Sequence, residues 1–212
     1  MTTSKTRREA LTALAATAVA AGVAPLISTP AQASPQTGTP APGFTATDSK
    51  GKQHTLAAYR GKTVVLEWTN HECPYTVKHY NTGNMQALQQ SATAAGVVWL
   101  TVASSPPGAQ GHVNALEADK LTDDRKAQPT AVLLDPAGDL AKLYAARTTP
   151  HMYIIDPQGM LVYMGAIDDQ PTSNPASVKV ARNFVRDALD AVAAGRPVAT
   201  ASTRPYGCTI KY

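Results

Sequence analysis

The sequence predicts an α/β domain whose sheet has a parallel core and an antiparallel edge. Three observations lead there. Apolar runs rich in β-branched residues, 63–68, 97–103 and Ala131–Leu134, alternate with stretches of helical pattern. A turn signal, Asp48-Ser49-Lys50-Gly51, divides 44–56 into two short strands. A second one, Asp156-Pro157-Gln158-Gly159, joins 152–155 to 161–164 as a closing antiparallel hairpin. The expected architecture is a central mixed sheet flanked by helices, with an N-terminal hairpin and a C-terminal helix plus tail.

Each element has a local reason. The run 63–68 is β-branched and apolar, as a central strand should be. Pro74 suits the first turn of a helix, where a missing N–H has no partner to lose. That helix is expected from about Tyr75 through Ala95, with an irregularity at Asn81-Thr82-Gly83 and a stop at Gly96. Residues 97–103 form the next buried strand, and 104–111 a Pro/Gly loop. A helix is expected over 112–120. After the strand Ala131–Leu134, Asp135-Pro136-Ala137-Gly138 turns the chain into a short helix ending near Tyr144. Val178, Ala181, Val185, Ala188, Leu189 and Val192 fall at helical spacing within 176–194, and Gly195 ends that pattern. Trp68, Trp99 and Tyr153 read as core. The Asp135-Pro136 and Asp156-Pro157 pairs read as turn chemistry rather than catalytic acids.

The first 33 of the 212 residues read as an export signal. Lys5, Arg7 and Arg8 precede an Ala-rich apolar run over 10–24, and Ala31-Gln32-Ala33 offers a cleavage site before Ser34. Arg7-Arg8 resembles a twin-arginine signal. The apolar run falls short of the ~20 strongly apolar residues of a membrane span, so no stable span is expected after processing. Residues 34–42 read as a linker, 43–195 as the folded domain and 196–212 as a tail carrying Cys208. Cleavage removes three cations and one anion, and the formal charge falls from +4 to +2. So small a charge, with no basic stripe, excludes a nucleic-acid reader. The expected location is periplasmic or extracellular, where a disulfide persists.

The chemistry centres on Cys73, one of two cysteines. It sits between a strand and a helix, and a helix N-terminus favours the thiolate through its free N–H groups and dipole. His71, when protonated, adds positive charge, while Glu72 favours the neutral thiol. Cys208 is the only partner within the chain, with an intermolecular bond as competitor. Two other readings stand beside a redox cysteine. Cys73, His71 and His151 form a donor set for copper or zinc. Alternatively, the chain is a non-catalytic scaffold locked by a structural disulfide.

The stretch 64–73 resembles the strand and loop that lead to the first active-site cysteine of thioredoxins. Cys73-Pro74-Tyr75-Thr76 then looks like a C-x-x-C motif with Thr76 in the second place. "RTTPHMYIIDPQG" (147–159) resembles the strand carrying that superfamily's cis-proline, with Thr149 and Pro150 at the bond and His151 after it. "GNMQ", "GAIDD" and the terminal "PYGCTIKY" occur in the order seen in a peroxiredoxin-like branch of the thioredoxin superfamily, the redoxin or AhpC/TSA domains. The resemblance spans roughly 41–212. It implies a thioredoxin-like fold and a thiol-based oxidoreductase of thiol–disulfide or antioxidant type. In it Cys73 is the nucleophile, Cys208 the resolving thiol and Thr149 a backbone dock for an extended substrate. It also implies a thiol, disulfide or peroxide substrate, a reductant the sequence does not name, and no cofactor. One departure matters. True peroxiredoxins carry their peroxidatic cysteine where Thr76 stands here, so peroxidase chemistry does not transfer directly.

Overall fold

The computed structural model describes residues 1–2 and 34–212, so the expected export signal lies outside the described residues. A seven-stranded sheet forms the body. Its strands are β1 (Thr45–Asp48), β2 (Gln53–Thr55), β3 (Val64–Trp68), β4 (Val98–Ala103), β5 (Ala131–Leu134), β7 (His151–Ile155) and β8 (Leu161–Gly165), in the spatial order β2-β1-β5-β4-β3-β7-β8. β3, β4 and β5 run parallel, while β1 and β7 pair antiparallel to their neighbours β5 and β3. A second, two-stranded sheet joins β6 (Thr148–Thr149) to β9 (Cys208–Thr209). The helices are α1 (Pro74–Asn81), α2 (Asn84–Ala94), α3 (Ala115–Asp124), α4 (Asp139–Leu143) and α5 (Phe184–Ala193).

β3 shows how the sequence builds two cores from one strand. Alternate side chains point to opposite faces. Val64, Leu66 and Trp68 join Tyr144, Tyr153 and Ile210 on one face. Val65 joins Tyr80, Met85, Leu88 and Val185 on the other, under α1, α2 and α5. On that second face also lies Glu67, fully buried. Its Oε1 accepts from the Tyr80 hydroxyl at 2.7 Å, and its Oε2 from Trp99 Nε1 at 2.7 Å, Gln89 Nε2 at 3.0 Å and Thr101 Oγ1 at 3.3 Å. One carboxyl group thus ties β3 to α1, α2 and β4. Burial raises its pKa, and the four donors oppose that rise.

Three expected helices differ in extent. The first is two helices, because Gly83 adopts a left-handed φ of +73° that ends α1's path and starts α2. The second runs over Ala115–Asp124 rather than 112–120. Asn114 sets its start through a capping box, accepting from the Glu117 N–H while Glu117 accepts from its own. The last begins at Phe184, not at 176. Asn174 caps a short 3-10 turn, Pro175–Lys179, and Asn183 separately caps α5, so the apolar spacing spans two elements.

The exposed edge of β8 is covered by both flanks of the domain. Part of the expected linker pairs with it, through Gly38 N–H to Leu161 O (2.8 Å) and Leu161 N–H to Thr39 O (2.9 Å). The tail continues the cover, with Met164 N–H to Ala201 O and Thr203 N–H to Met164 O, each 3.1 Å. Unpaired sheet edges invite pairing with other chains, and these contacts remove one.

The Glu67 arrangement yields a prediction. Glu67→Gln places an amide N–H among four donors, so at least one acceptor site is lost. It should cost about 1–3 kcal/mol of stability. Urea unfolding checks this, and an unchanged midpoint would contradict the role assigned to the carboxyl.

Candidate active site

Cys73 is the N-cap residue of α1, with Pro74 at the first helical position. It reaches that place because β3 ends at Trp68 and a short loop turns the chain. Asn70 shapes the loop, its Oδ1 accepting the Glu72 N–H at 2.8 Å and its carbonyl the Cys73 N–H at 3.1 Å. The Cys73 thiol donates to the Thr149 carbonyl at 3.0 Å. The Thr149–Pro150 bond is cis, as expected from the resemblance.

The tail comes back to this point. Cys208 pairs with Thr149 and Thr209 with Thr148 across the β6–β9 ladder. The Thr149 hydroxyl also donates to the Cys208 carbonyl at 3.4 Å. Gly207 makes the approach possible. A Cβ there would lie 2.0 Å from the Thr149 oxygen, and its φ of +139° suits glycine. Both cysteines are free thiols, and each thiol is among the groups that shift the pKa of the other.

That mutual effect divides the pair electrostatically. Burial by itself raises the Cys73 pKa. The Cys208 thiol, the backbone N–H groups of Thr76 and Cys208 and the Thr149 hydroxyl outweigh it, so the net direction is down. Ionisation gives up the bond to the Thr149 carbonyl, which only the thiol can make. Cys208 is pushed up to about 11, by burial first and then by donating to Cys73. The pair therefore favours one thiolate at Cys73 and one thiol at Cys208. Cys73 is nonetheless fully buried (0% exposed) beneath this arrangement.

The other expected residues fall into place around it with some changes. Thr76 is buried, and its hydroxyl has no hydrogen-bond partner. His71 is not among the groups that shift the Cys73 pKa. Burial lowers its own pKa, and its carbonyl accepts from Arg125 Nη2 at 3.0 Å. Glu72 is exposed and takes the Gly111 N–H at 2.6 Å; it acts on His71 rather than on Cys73. His151 is buried against Tyr153, with Nδ1 accepting the Arg147 N–H at 3.3 Å and lying 3.1 Å from the Tyr153 hydroxyl. That engages the nitrogen with the core. Among the described residues no three His, Cys, Asp or Glu side chains converge as a metal site.

Sequence reasoning missed a buried polar group on the far side of α1. Lys78 and His79 are buried with Asp168 and the hydroxyl of Tyr206. Lys78 Nζ donates to the Gln170 carbonyl at 2.9 Å and lies 3.1 Å from the Tyr206 oxygen and 3.6 Å from Asp168. Tyr206 donates to Asp168 Oδ1 in a short hydrogen bond. The signal for this group was a Lys-His pair in an otherwise buried helix and a tyrosine two residues before Cys208. Beside this cluster runs an open groove of about 660 Å³, lined by Thr148, Asp168, Phe184, Arg204, Tyr206 and Gly207 among others.

A cysteine at the start of a helix, beside a cis-proline strand in a sheet of this order, defines a thioredoxin-fold protein. The chain belongs to the AhpC/TSA family, whose profile matches residues 37–164. It is similar to an uncharacterized conserved protein from Geobacillus kaustophilus, with 25% identity, a TM-score of 0.70, and 84% of this chain and 92% of that one covered. A hypothetical protein from Sinorhizobium meliloti 1021 matches at 24% identity and a TM-score of 0.71, covering 85% of this chain and 96% of the other. The same fold recurs in the thioredoxin domain of a thiol-disulfide oxidoreductase from Bacteroides vulgatus, at 20% identity, a TM-score of 0.50, and coverage of 69% and 98%. No curated protein matches the chain significantly. Among the described residues no helix is long and apolar enough to cross a membrane. Family and fold together support a thiol oxidoreductase in general terms.

The buried histidines yield a pH prediction. Burial lowers His79 and His151 to about 3, from an ordinary value of 6.5. Below pH 6.5 the unfolded chain then binds protons that the native state refuses. The stability these groups supply is complete above pH 6.5 and is lost as pH falls toward 3, at up to about 1.4 kcal/mol per pH unit for each. Glu67 acts in the opposite sense. Its raised pKa makes its contribution largest below 4.5, decreasing as pH rises above that. With two histidines against one carboxyl, urea melts should show net loss of stability from pH 7 to about 4. NMR should find both imidazoles neutral throughout. Imidazolium in the native state at about pH 5 would contradict the burial argument.

Proposed function

We propose that this protein is an exported thiol–disulfide oxidoreductase in which Cys73 is the nucleophile and Cys208 the resolving thiol. The observation that carries the reading is the β6–β9 pairing, which sets Cys208 opposite Thr149 and beside Cys73. A thiol in that position replaces the one that Thr76 does not provide within the helix.

The exchange balances as follows. The Cys73 thiolate attacks one sulfur of a substrate disulfide. A mixed disulfide forms, and the other substrate sulfur leaves as a thiolate that takes up a proton from solvent. Cys208 then loses its proton to solvent and attacks the Cys73 sulfur. The Cys73–Cys208 bond forms, and the second substrate thiol is released. The substrate gains two electrons and the protein loses two. An external dithiol returns the pair to the reduced state by the reverse exchange. The lowered pKa of Cys73 favours its ionisation for the first attack and its departure when the protein disulfide is reduced. Disulfide exchange is preferred to peroxide reduction because Thr76 occupies the peroxidatic position of the resemblance.

The test is Cys208→Ser. Treated with a small disulfide, this variant should accumulate a mixed disulfide at Cys73, whereas the wild type should yield an intramolecular Cys73–Cys208 bond by peptide mapping. If both thiols of the wild type stay free and the variant traps nothing, the two-cysteine mechanism is wrong. Export has its own test. N-terminal sequencing of secreted material should start near Ser34, and a native protein that keeps residues 1–33 would refute cleavage.

A further inference from the structure

We infer that Tyr206 is a positioning residue: its hydroxyl, held by buried Asp168, Lys78 and His79, latches the tail so that Cys208 both faces and covers Cys73. The inference rests on the Cys73–Cys208 reading and adds a control element to it.

The tail is anchored on each side of Cys208 by different chemistry. Beyond it, Ile210 is buried in the apolar core with Trp68 and Tyr144, and its N–H bonds the Arg147 carbonyl at 3.1 Å. Before it, Tyr206 places one hydroxyl against three buried polar groups. It donates to Asp168 Oδ1 and lies 3.1 Å from Lys78 Nζ and 3.3 Å from His79 Nε2. Its ring packs edge-on to Tyr75, two residues after Cys73, with centroids 5.8 Å apart. The strand pairing between the anchors is only two residues long. Such a short ladder holds little by itself, so the anchors decide whether it stays closed.

Cys73 has no exposed surface while the tail is closed. A substrate disulfide cannot reach this buried sulfur until a neighbouring segment is displaced, and the neighbour that carries Cys208 is held to the cis-proline strand by only a two-residue ladder. The covering segment around Gly207 and Cys208 therefore has to move before the first step and return for the second. Tyr206 is the anchor suited to release. Its contacts are polar and border the open groove lined by Asp168, Arg204 and Phe184. Ile210 would have to leave the core. The latch thus sets the two steps against each other. Loosening it exposes Cys73 and dilutes Cys208.

Tyr206→Phe removes the hydroxyl and keeps the ring. In the Cys208→Ser background, alkylation of Cys73 by iodoacetamide should speed up about tenfold, as expected for loss of one hydrogen bond to a charged group. With both cysteines present, the effective concentration of Cys208 toward Cys73, read from equilibrium with glutathione, should fall by a similar factor, about tenfold. The melting temperature should fall by about 3–6 °C, since the same hydrogen bond is lost relative to the unfolded chain while the apolar packing is retained. Opposite changes in the two readouts support the latch. Equal alkylation rates with and without the hydroxyl overturn it, and so does faster alkylation with an unchanged effective concentration of Cys208. Alkylation measures exposure whether or not the protein exchanges disulfides, so failure of the functional reading would appear separately, as an absent Cys73–Cys208 bond.

Discussion

The buried carboxyl of Glu67 holds the architecture together. It lies in the central strand with no exposed surface and takes hydrogen bonds from a helix on each side of the Gly83 break and from the neighbouring strand. A buried carboxyl is tolerated only when its lone pairs are filled. Four donors fill them here, and in doing so they fix the distance and tilt of α1 over the sheet. Cys73 stands at the start of that helix, so the position of the sulfur descends from the satisfaction of one carboxyl group six residues earlier.

The second determinant is the convergence of three distant segments. The loop after β3, the cis-proline strand and the tail meet within hydrogen-bond distance, although Cys73, Thr149 and Cys208 are far apart in the chain. Glycine makes the meeting possible. At Gly207 the backbone comes so close to the Thr149 carbonyl that no side chain fits. The two cysteines consequently differ in environment rather than in type. Cys73 receives donors and drops in pKa; Cys208 gives a donor and rises. In the mechanism we propose, this inequality gives the pair a direction, with Cys73 attacking first and Cys208 second.

Protection and reactivity are opposed in this arrangement. A sulfur shielded from solvent is spared adventitious oxidation, and in the proposed mechanism it is equally shielded from a substrate disulfide. The tail that covers Cys73 is also the element that brings its partner. A polar anchor at Tyr206 and an apolar one at Ile210 divide the hold on that tail between contacts of different strength. Nothing comparable exists where two cysteines share one helical turn, since neither needs a mobile segment to reach the other.

The sequence by itself determined the sheet and its order of elements. The apolar runs 63–68 and 97–103 and the two Pro/Gly or Asp/Gly turns are local patterns, and local backbone preference decides them. It also marked Cys73, because a cysteine before proline after an apolar strand already implies a helix start. Helix ends were less legible. Asn114 and Asn183 compete with the apolar spacing as caps, and that competition is won by side-chain hydrogen bonds that spacing does not encode. What only the tertiary structure decided is which polar groups are buried together. Lys78, His79, Asp168 and Tyr206 look like surface residues one at a time, and His71 and His151 look like ligands. Their roles follow from packing. Burial lowers both of those histidines, turns His151 toward Tyr153, and assembles the other four where α1, the loop after β8 and the tail cross, far apart in sequence and adjacent in space.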